Sequence, residues 1–598
     1  MALAHPYGAN LGARVSGEQT RFAVWTQARE CAVCLYDEQG EQRARQRLTP
    51  RGEGLFDTEL SGAGHGTLYK FELDGVQLPD PYARFLPHGV HGPAMVVEPR
   101  YSFRYEQGRP LALGKHILYE LHVGTFTEGG TYRAAIERLP ELARLGITCI
   151  ELMPVASFAG ARGWGYDGVA LFAPFAPYGT PDELRELVDA AHDLSLSVLL
   201  DVVYNHLGPA GNYLAQYHRD YFSPDIKNAW GDSPNYAHPV VRAFAIDNAR
   251  YWLSEFRFDG LRLDAVHAIV DPSARHVLRE LAEEVKALDP SRILIAEDDR
   301  NDPAIVEEVG LDGLWADDFH HQLRVTLTGE RDGYYKAYEP SVAELAKVIE
   351  RGWLYEGQPF PLTGEPRGKP RGSLPPPCLV YCIQNHDQTG NRALGNRLTD
   401  DVNLDAFCMA SAILLFLPST PLLFMGQEWA ASAPFLFFSD HHAELGEAVS
   451  RGRREEFKHF EAFSRPETRD KIPDPQAEKS FQDSRLNWQE REREPHKSVL
   501  ALYTNLITLR RTDAVLSDGA RGSLKADVTA GLLRITRSLD GQERVLLANF
   551  GEQPVALTEV DFPSDSERLL VTGQVLEQDM LAPNSAIILA SISIGLSS

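Results

Sequence analysis

Four short stretches of the chain place acidic or polar side chains at the end of an apolar run. They are DVVYNH (residues 201–206), GLRLDAVH (260–267), IAEDD (295–299) and QNHD (384–387). Two carboxyl groups with different pKa values can cleave a glycosidic bond, because one protonates the leaving oxygen while the other attacks the anomeric carbon. One polar strand end means little, but four such clusters predict a shared cleft that performs this chemistry.

The second stretch alternates like a β-strand but carries charge where a buried strand is usually apolar. Leu261 and Leu263 share one face, and Arg262 and Asp264 share the other. A nearby cation favours the ionised form of a carboxyl group. We therefore expect Asp264 to be an anionic nucleophile, with Arg262 donating to it or to Asp201 on the adjacent strand.

Two further carboxyl groups complete the predicted set. Glu297 follows an apolar run and neighbours Asp298 and Asp299. Burial and like charge both raise a carboxyl pKa, which suits a proton donor. Asp387 is preceded by His386 and would bind sugar hydroxyls through charge-assisted hydrogen bonds.

Histidines accompany three of the four stretches. His206 and His386 lie beside cleft carboxylates and are predicted to belong to the site, whereas His267 is balanced between a structural and a functional role. The alternative is a metal centre made of Asp201, His206, His267 and Asp387. Their spacing matches no compact metal motif, so we expect neither a metal nor a cofactor.

A glycine-rich segment, GWGYDG (163–168), follows the second predicted strand. It carries Trp164 and Tyr166. An aromatic ring there could stack under a bound sugar, since sugar rings present apolar faces, or could simply pack within the loop. The sequence does not distinguish sugar stacking from loop packing for either Trp164 or Tyr166.

Eight apolar strands, most of them separated by helical patterns, must position these groups. They lie within HILYELHVG, ITCIELMPV, SVLLDVVYNH, FDGLRLDAV, RILIAEDD, GLWADDFH, CLVYCIQNHD and TPLLFMG. Repeated βα units over roughly 400 residues predict a (β/α)8 barrel with loop insertions, whose strand ends meet at one face. An open doubly wound sheet is the alternative, but no glycine-rich phosphate loop follows the first strand.

The pattern changes outside the middle of the chain. Short β-like runs broken by Gly, Pro and Asp predict an N-terminal β-sandwich over residues 1–108. The barrel is predicted over 109–515 and a C-terminal β-sandwich over 516–598. Residues 431–497 are either a loop packed over the barrel mouth or a solvated surface excursion.

Composition narrows the possible partners. The 598 residues carry a net charge of −25, which argues against nucleic acid or an anionic membrane as a partner. The six cysteines lie in apolar contexts and are predicted to be reduced core thiols. Residues 406–426 predict a buried helix and strand rather than a membrane span, and the N-terminus shows no signal peptide, so we expect a cytoplasmic protein.

Taken together, the four stretches resemble the signature regions of the α-amylase superfamily of retaining glycoside hydrolases, in the same order. The resemblance covers essentially the whole chain, and it implies that the N-terminal β-sandwich is similar to a carbohydrate-binding module. It implies that Asp264 is the nucleophile, Glu297 the general acid/base and Asp387 the transition-state stabiliser. The residues it implies around the substrate are Tyr166, His206, Arg262 and His386 at the sugar, His267 on the leaving-group side, and Asp201 holding Arg262.

Longer stretches narrow the resemblance within the superfamily. WGYDGVALFAPFAPYGTPDELRELVDAAH, QNHDQTGNRALGNRL and MGQEWAASAPFLFFSDH resemble enzymes that release trehalose from maltooligosyl trehalose by cleaving the adjoining α-1,4 bond. This implies that substrate, or a related α-glucan, and a pathway shared with a maltooligosyltrehalose synthase. The alternatives are a branching or other α-glucan transferase, although branching enzymes usually carry SHDE where this chain has NHDQ, and a non-catalytic sugar-binding protein.

Overall fold

Eight parallel strands form a closed barrel at the centre of the molecule. The computed structural model describes residues 11–105, 111–228, 230–519, 522–560 and 566–591. In chain order the barrel strands are β1 (Leu118–Leu121), β2 (Cys149–Leu152), β3 (Ser197–Val202), β4 (Gly260–Leu263), β5 (Ile293–Glu297), β6 (Gly313–Trp315), β7 (Leu379–Cys382) and β8 (Thr420–Phe424). These are the eight predicted strands, so the barrel is confirmed and the open doubly wound sheet is wrong.

Helices connect the barrel strands. They are Val123–Phe126, Tyr132–Ile136 and Leu139–Leu145 after β1, Pro181–Asp193 after β2, Leu214–Tyr217 and Pro239–Glu255 after β3, Val277–Leu288 after β4, Ala304–Glu307 after β5, Asp317–Thr328 and Val342–Arg351 after β6, His386–Gly390, Leu398–Asp401 and Leu404–Phe416 after β7, and Ala443–Glu456, Pro466–Arg469, Glu478–Asp483 and His496–Thr512 after β8. Local sequence sets their ends: Thr180 and Glu183 form a reciprocal capping box at the start of Pro181–Asp193.

Register brings the charged residues of the barrel together. Asp201 on β3 lies opposite Arg262 on β4. Gly260 permits the close approach of β4 to β5, because a Cβ there would lie 2.1 Å from the carbonyl oxygen of Ile293. Directly after β4, Ala265 turns the chain through a left-handed conformation (φ 39°), which leaves Asp264 at the mouth of the barrel.

Two antiparallel sheets precede the barrel. One contains Gly12–Ser16, Gln19–Trp25, Leu55–Ser61 and Thr49–Gly52, and the other contains Gln42–Arg47, Cys31–Tyr36, Leu68–Leu73, Val76–Leu78 and Ala94–Met95. Phe22 of the first sheet packs edge-on against Tyr69 of the second, with ring centroids 5.0 Å apart. The two sheets therefore share one apolar core.

Two more antiparallel sheets follow the barrel. The larger contains Ser523–Thr529, Leu532–Leu539, Gln542–Asn549, Ser585–Ala590 and Glu567–Thr572, and the smaller contains Val555–Ala556, Met580–Leu581 and Val575–Leu576. The β-sheet regions predicted at both ends of the chain are thus confirmed. The domain boundaries after residues 108 and 515 stay predictions.

Residues 431–497 pack against loops at the barrel mouth. Phe435 stacks on Trp164 from the loop after β2. The guanidinium of Arg453 donates to the carbonyl oxygens of Gly390 and Arg392 after β7, at 2.9 Å each. This is the first of the two arrangements that the sequence left open.

The apolar run at 406–426 forms helix Leu404–Phe416, apart from its first two residues, and the whole of strand β8, as predicted. Within the described ranges, the helices are too short or too polar to cross a membrane. All six cysteines are free thiols, and four of them are buried, which agrees with the predicted core role.

Candidate active site

The guanidinium of Arg262 joins three carboxylates at the mouth of the barrel. One of its nitrogens donates to both oxygens of Asp201 (2.9 and 2.8 Å) and to Oδ1 of Asp264 (2.9 Å). The other donates to Oε2 of Glu297 (2.9 Å). Arg262 is completely buried and its guanidinium carbon lies 4.2 Å from the ring centroid of Trp315. The sequence predicts a contact of Arg262 with Asp264 or with Asp201, and the structure shows both. The contacts with Glu297 and Trp315 were not predicted.

Asp264 is held at both carboxylate oxygens. Oδ1 accepts from Arg262, and Oδ2 accepts from the side-chain amide of Asn205 at 2.7 Å. The same amide also donates to the carbonyl oxygen of Asp264 at 2.9 Å. Because both oxygens are fixed, the carboxylate presents one defined geometry to the cleft.

Glu297 is fixed through a single carboxylate oxygen. Oε2 accepts from Arg262 and from the backbone N–H of Ala265 at 2.8 Å. Burial raises the pKa of Glu297; Arg262 opposes this shift and Asp264 adds to it. Its side chain is 20% exposed, so Oε1 can carry a proton that faces the cleft.

The source of like charge at Glu297 differs from the expectation. The sequence predicts Asp298 and Asp299 as the neighbouring like charges. The carboxylate of Asp298 instead accepts two hydrogen bonds from the guanidinium of Arg300 (2.8 and 2.6 Å), while Asp264 raises the pKa of Glu297 from the adjacent strand. Consecutive residues on a strand face opposite sides, which turns Asp298 away from Glu297. Asp299 lies beyond the end of β5, with its carboxylate 3.6 Å from His267 Nδ1.

Asp387 and His386 begin the short helix His386–Gly390 after β7. Asp387 Oδ1 accepts from the amide of Asn391 (3.0 Å), and its Oδ2 lies 3.4 Å from His386 Nε2. Burial raises the pKa of Asp387, and His386 opposes the shift. For His386 itself, burial lowers the pKa, but the carboxylates of Asp387 and Glu120 more than compensate and raise it to about 10.

Tyr166 connects the two halves of the site. Its hydroxyl donates to Asp201 Oδ2 (2.6 Å) and lies 2.7 Å from His386 Nε2. Burial raises the pKa of Asp201 to about 7, against the opposing effect of Arg262. Trp164, from the same loop, is buried: its ring nitrogen donates to the carbonyl oxygen of Leu436 at 2.9 Å. Trp164 is therefore a packing residue rather than a platform for a sugar.

The other two predicted histidines lie at different depths. His206 is buried, contacts Tyr166 O through Nε2 (3.0 Å) and stacks on the exposed ring of Trp230, with centroids 4.5 Å apart. Burial lowers the pKa of His206. His267 lies outside the Arg262 cluster, in an exposed position with Nδ1 3.6 Å from Asp299 Oδ1.

The four residues considered as a metal centre are not grouped as one set of ligands. Throughout the part of the chain that the structure describes, a group of three possible ligand side chains occurs at His267, Asp298 and Asp299. Asp298 already binds Arg300 through both oxygens. The residues at the Arg262 cluster are carboxylates paired with fixed nitrogen donors, which suits acid–base and nucleophilic chemistry.

Several residues near the site were not predicted from the sequence. Glu120 on β1 and Glu151 on β2 are buried acidic residues within apolar strands, the same kind of signal that identified Arg262, but only Glu120 hydrogen-bonds to a predicted site residue among the described residues. Asn205 lies inside a quoted stretch and was overlooked. Asp317 begins the helix after β6, and burial together with the charges of Glu297 and Asp387 raises its pKa to about 7.

Comparison with known proteins agrees with this geometry. Residues 101–235 match the alpha amylase catalytic domain. The chain is 50% identical over 561 residues to the malto-oligosyltrehalose trehalohydrolase of Deinococcus radiodurans, covering 93% of this chain and 91% of that protein. It is 41% identical over 547 residues to the enzyme of the same name from Arthrobacter ramosus, covering 88% and 92% respectively.

A solved structure extends the likeness to three dimensions. The crystal structure of a putative alpha amylase from Salmonella typhimurium superposes with a TM-score of 0.89 at 37% identity, covering 97% of this chain and 99% of that one. Both the fold and the length of the relatives are therefore matched. The chain belongs to the malto-oligosyltrehalose trehalohydrolase family and is a glycoside hydrolase with an alpha-amylase fold.

Proposed function

We propose that this chain hydrolyses the α-1,4 bond next to the terminal trehalose unit of maltooligosyl trehalose, releasing trehalose with retention of configuration. The observation that carries the proposal is the bridge from Arg262 to both Asp264 and Glu297. It holds two carboxyl groups with different surroundings beside each other, as a double displacement requires. Family membership supports the choice of substrate.

The first step forms a covalent intermediate. A carboxylate oxygen of Asp264 attacks the anomeric carbon while the bond from that carbon to the leaving oxygen breaks. Glu297 donates its proton to the leaving oxygen, so trehalose departs as a neutral alcohol. Asp387 stabilises the positive charge that develops on the sugar ring, and Tyr166, His206, Arg262 and His386 surround that sugar.

The second step releases the remaining glucan. Glu297, now ionised, takes a proton from a water molecule, and the water oxygen attacks the anomeric carbon. The bond to Asp264 breaks and its carboxylate is restored. Two inversions give net retention, so the new reducing end carries the α configuration.

Paired substrates test the proposal. Incubation with a maltooligosyl trehalose is expected to release trehalose, whereas the plain maltooligosaccharide of the same length is expected to be hydrolysed slowly. Products are separated by anion-exchange chromatography, and the first anomer is read by proton NMR. Equal hydrolysis of both substrates, transfer to a second glucan, or a β-anomer as the first product would contradict the proposal.

Glu297→Gln tests the proton donor. The amide cannot protonate the leaving oxygen, so turnover of maltooligosyl trehalose is expected to fall by roughly 10²- to 10⁴-fold. α-Maltosyl fluoride needs no proton for fluoride to leave, so the variant is expected to release fluoride in a burst close to the amount of enzyme. Hydrolysis of the intermediate is then slow because the base is missing.

The sign of the pH dependence follows from the raised pKa of Glu297. Wild type needs the protonated acid, which is lost as pH rises through that pKa, so kcat/KM for maltooligosyl trehalose has an alkaline limb there. The variant lacks this limb. A wild-type limb retained in Glu297→Gln would assign the proton to another group.

The synthase partner and the cytoplasmic location stay predictions from the sequence.

A further inference from the structure

His386 follows β7 and is held by the carboxylate of Glu120, which comes from β1 on the far side of β8. Glu120 lies on β1, and both side chains are almost completely buried. Glu120 Oε2 accepts from the backbone N–H of His386 (2.9 Å), and Oε1 accepts from Nδ1–H of its ring (2.5 Å). An ionised carboxylate offers acceptors only, so with Glu120 ionised the ring nitrogen Nδ1 is the donor of the shorter bond.

The other ring nitrogen of His386 is also a donor. The Tyr166 hydroxyl has a single proton, which it donates to Asp201, so its oxygen accepts from His386 Nε2–H at 2.7 Å. Asp387 Oδ2 lies 3.4 Å from the same nitrogen. A histidine that donates at both nitrogens carries a positive charge. The contacts therefore describe an imidazolium placed between Glu120 and Asp387.

We propose that Glu120 is a positioning residue for catalysis: it keeps His386 doubly protonated and fixes its ring so that Nε2–H faces Asp387 and the sugar undergoing cleavage. This inference rests on the proposed function, because it acts through His386. Glu120 itself does not touch the substrate. It orients and charges the group that does.

Other charges around His386 do not replace Glu120. The titratable and charged groups facing it are His122 after β1, Glu151 on β2, Tyr166 after β2, Asp201 on β3, Arg262 on β4, Glu297 on β5 and Asp387 beside it. Asp201 is already bound by Arg262 and Tyr166. Glu120 is the partner that bonds Nδ1.

Glu151 provides a matched control. It lies opposite Glu120 on β2 and is equally buried, but neither of its oxygens has a hydrogen-bond partner within the described residues. Burial, with the nearby charges of Glu120 and Asp201, raises its pKa well above the ordinary value, and a buried carboxyl group without a partner favours its neutral form. Glu151→Gln is therefore expected to leave the charge around His386 unchanged, whereas Glu120→Gln removes the anionic partner of Nδ1.

The test is the pH profile of kcat/KM for α-maltosyl fluoride. Cleavage of this substrate does not need the protonated form of Glu297, because fluoride leaves without a proton. His386 is active when protonated, so activity is lost as pH rises through its pKa. Glu120→Gln removes an adjacent anion and lowers that pKa. Its alkaline limb is expected at least one pH unit below that of wild type, which is about a tenfold loss at the wild-type limb. Glu151→Gln and Glu120→Asp, which keeps the charge, are expected to retain the wild-type limb.

A double-mutant cycle separates positioning from folding. The single variant Glu120→Gln is expected to lower kcat for maltooligosyl trehalose by about 10- to 100-fold. If Glu120 acts through His386, the double variant is expected to have a kcat within twofold of that of His386→Gln. Additive losses, or superimposable profiles for Glu120→Gln and wild type, would overturn the inference. A wild type that releases no trehalose would instead contradict the proposed function.

Discussion

Asp264→Asn is expected to lower kcat by about 10⁴-fold or more on both maltooligosyl trehalose and α-maltosyl fluoride. The amide is a far weaker nucleophile than the carboxylate, and neither leaving group compensates for a missing attack. Substrate affinity is expected to change little, because the amide has the size of the carboxylate and its oxygen can still accept from Arg262, although the bond from the Asn205 amide is lost. A 10⁴-fold loss corresponds to about 5.5 kcal/mol of transition-state stabilisation.

Steady-state rates and isothermal titration calorimetry check this prediction together. Asp312→Asn makes the same chemical change at the opposite end of the barrel, where Asp312 binds Lys286 at 2.8 Å, and is expected to keep its activity. The comparison with Glu297→Gln is equally informative, because fluoride should restore bond cleavage there and not in Asp264→Asn. Turnover of either substrate near the wild-type rate would refute the nucleophile assignment.

Arg262→Met is expected to lose both stability and activity. The methionine leaves three carboxylates, Asp201, Asp264 and Glu297, facing one another without a cation in a buried site. Removing one partner of a buried ion pair costs about 3–5 kcal/mol of folding free energy. Activity falls with it, since Asp264 and Glu297 lose the group that aligns them.

The stability loss of Arg262→Met has a definite pH dependence. Burial already raises the folded-state pKa values of Asp201 and Glu297 against the opposing effect of Arg262, so without the cation these two pKa values rise further above their unfolded values. A raised folded pKa gives stability that is present at low pH and lost as pH increases. Urea unfolding is therefore expected to show a larger deficit at pH 8 than at pH 5. Arg300→Met, which unpairs the half-exposed ion pair with Asp298, serves as the control. An equal deficit at both pH values would contradict this electrostatic account.

Periodicity and charge placement predict the barrel and the residues around its mouth. Each strand is a short apolar run, and the charged residues at positions 201, 262, 264 and 297 interrupt or end these runs. Burial of a charge inside such a run is costly, so its presence signals a partner or a function. That signal is local and can be read without any tertiary information.

Which side chains contact one another depends on the tertiary fold, so these contacts are harder to predict from the sequence. Glu120 contacts His386 across 266 positions of sequence, and only closure of the barrel between β8 and β1 brings the two ends together. The guanidinium of Arg262 reaches Glu297 because β4 and β5 are neighbours in the barrel. Trp164 could not be assigned either, since its packing partner Phe435 lies in the segment after β8.

In the proposed mechanism Asp264 forms a covalent bond to the sugar, and this bond can be trapped. Glu297→Gln mixed briefly with α-maltosyl fluoride and quenched in acid should carry one maltosyl group, because the intermediate forms and its hydrolysis is blocked. Peptide mass spectrometry is predicted to find that mass on the peptide containing Asp264. A maltosyl group on Asp201 or Asp387, or fluoride release with no modified peptide, would contradict the account.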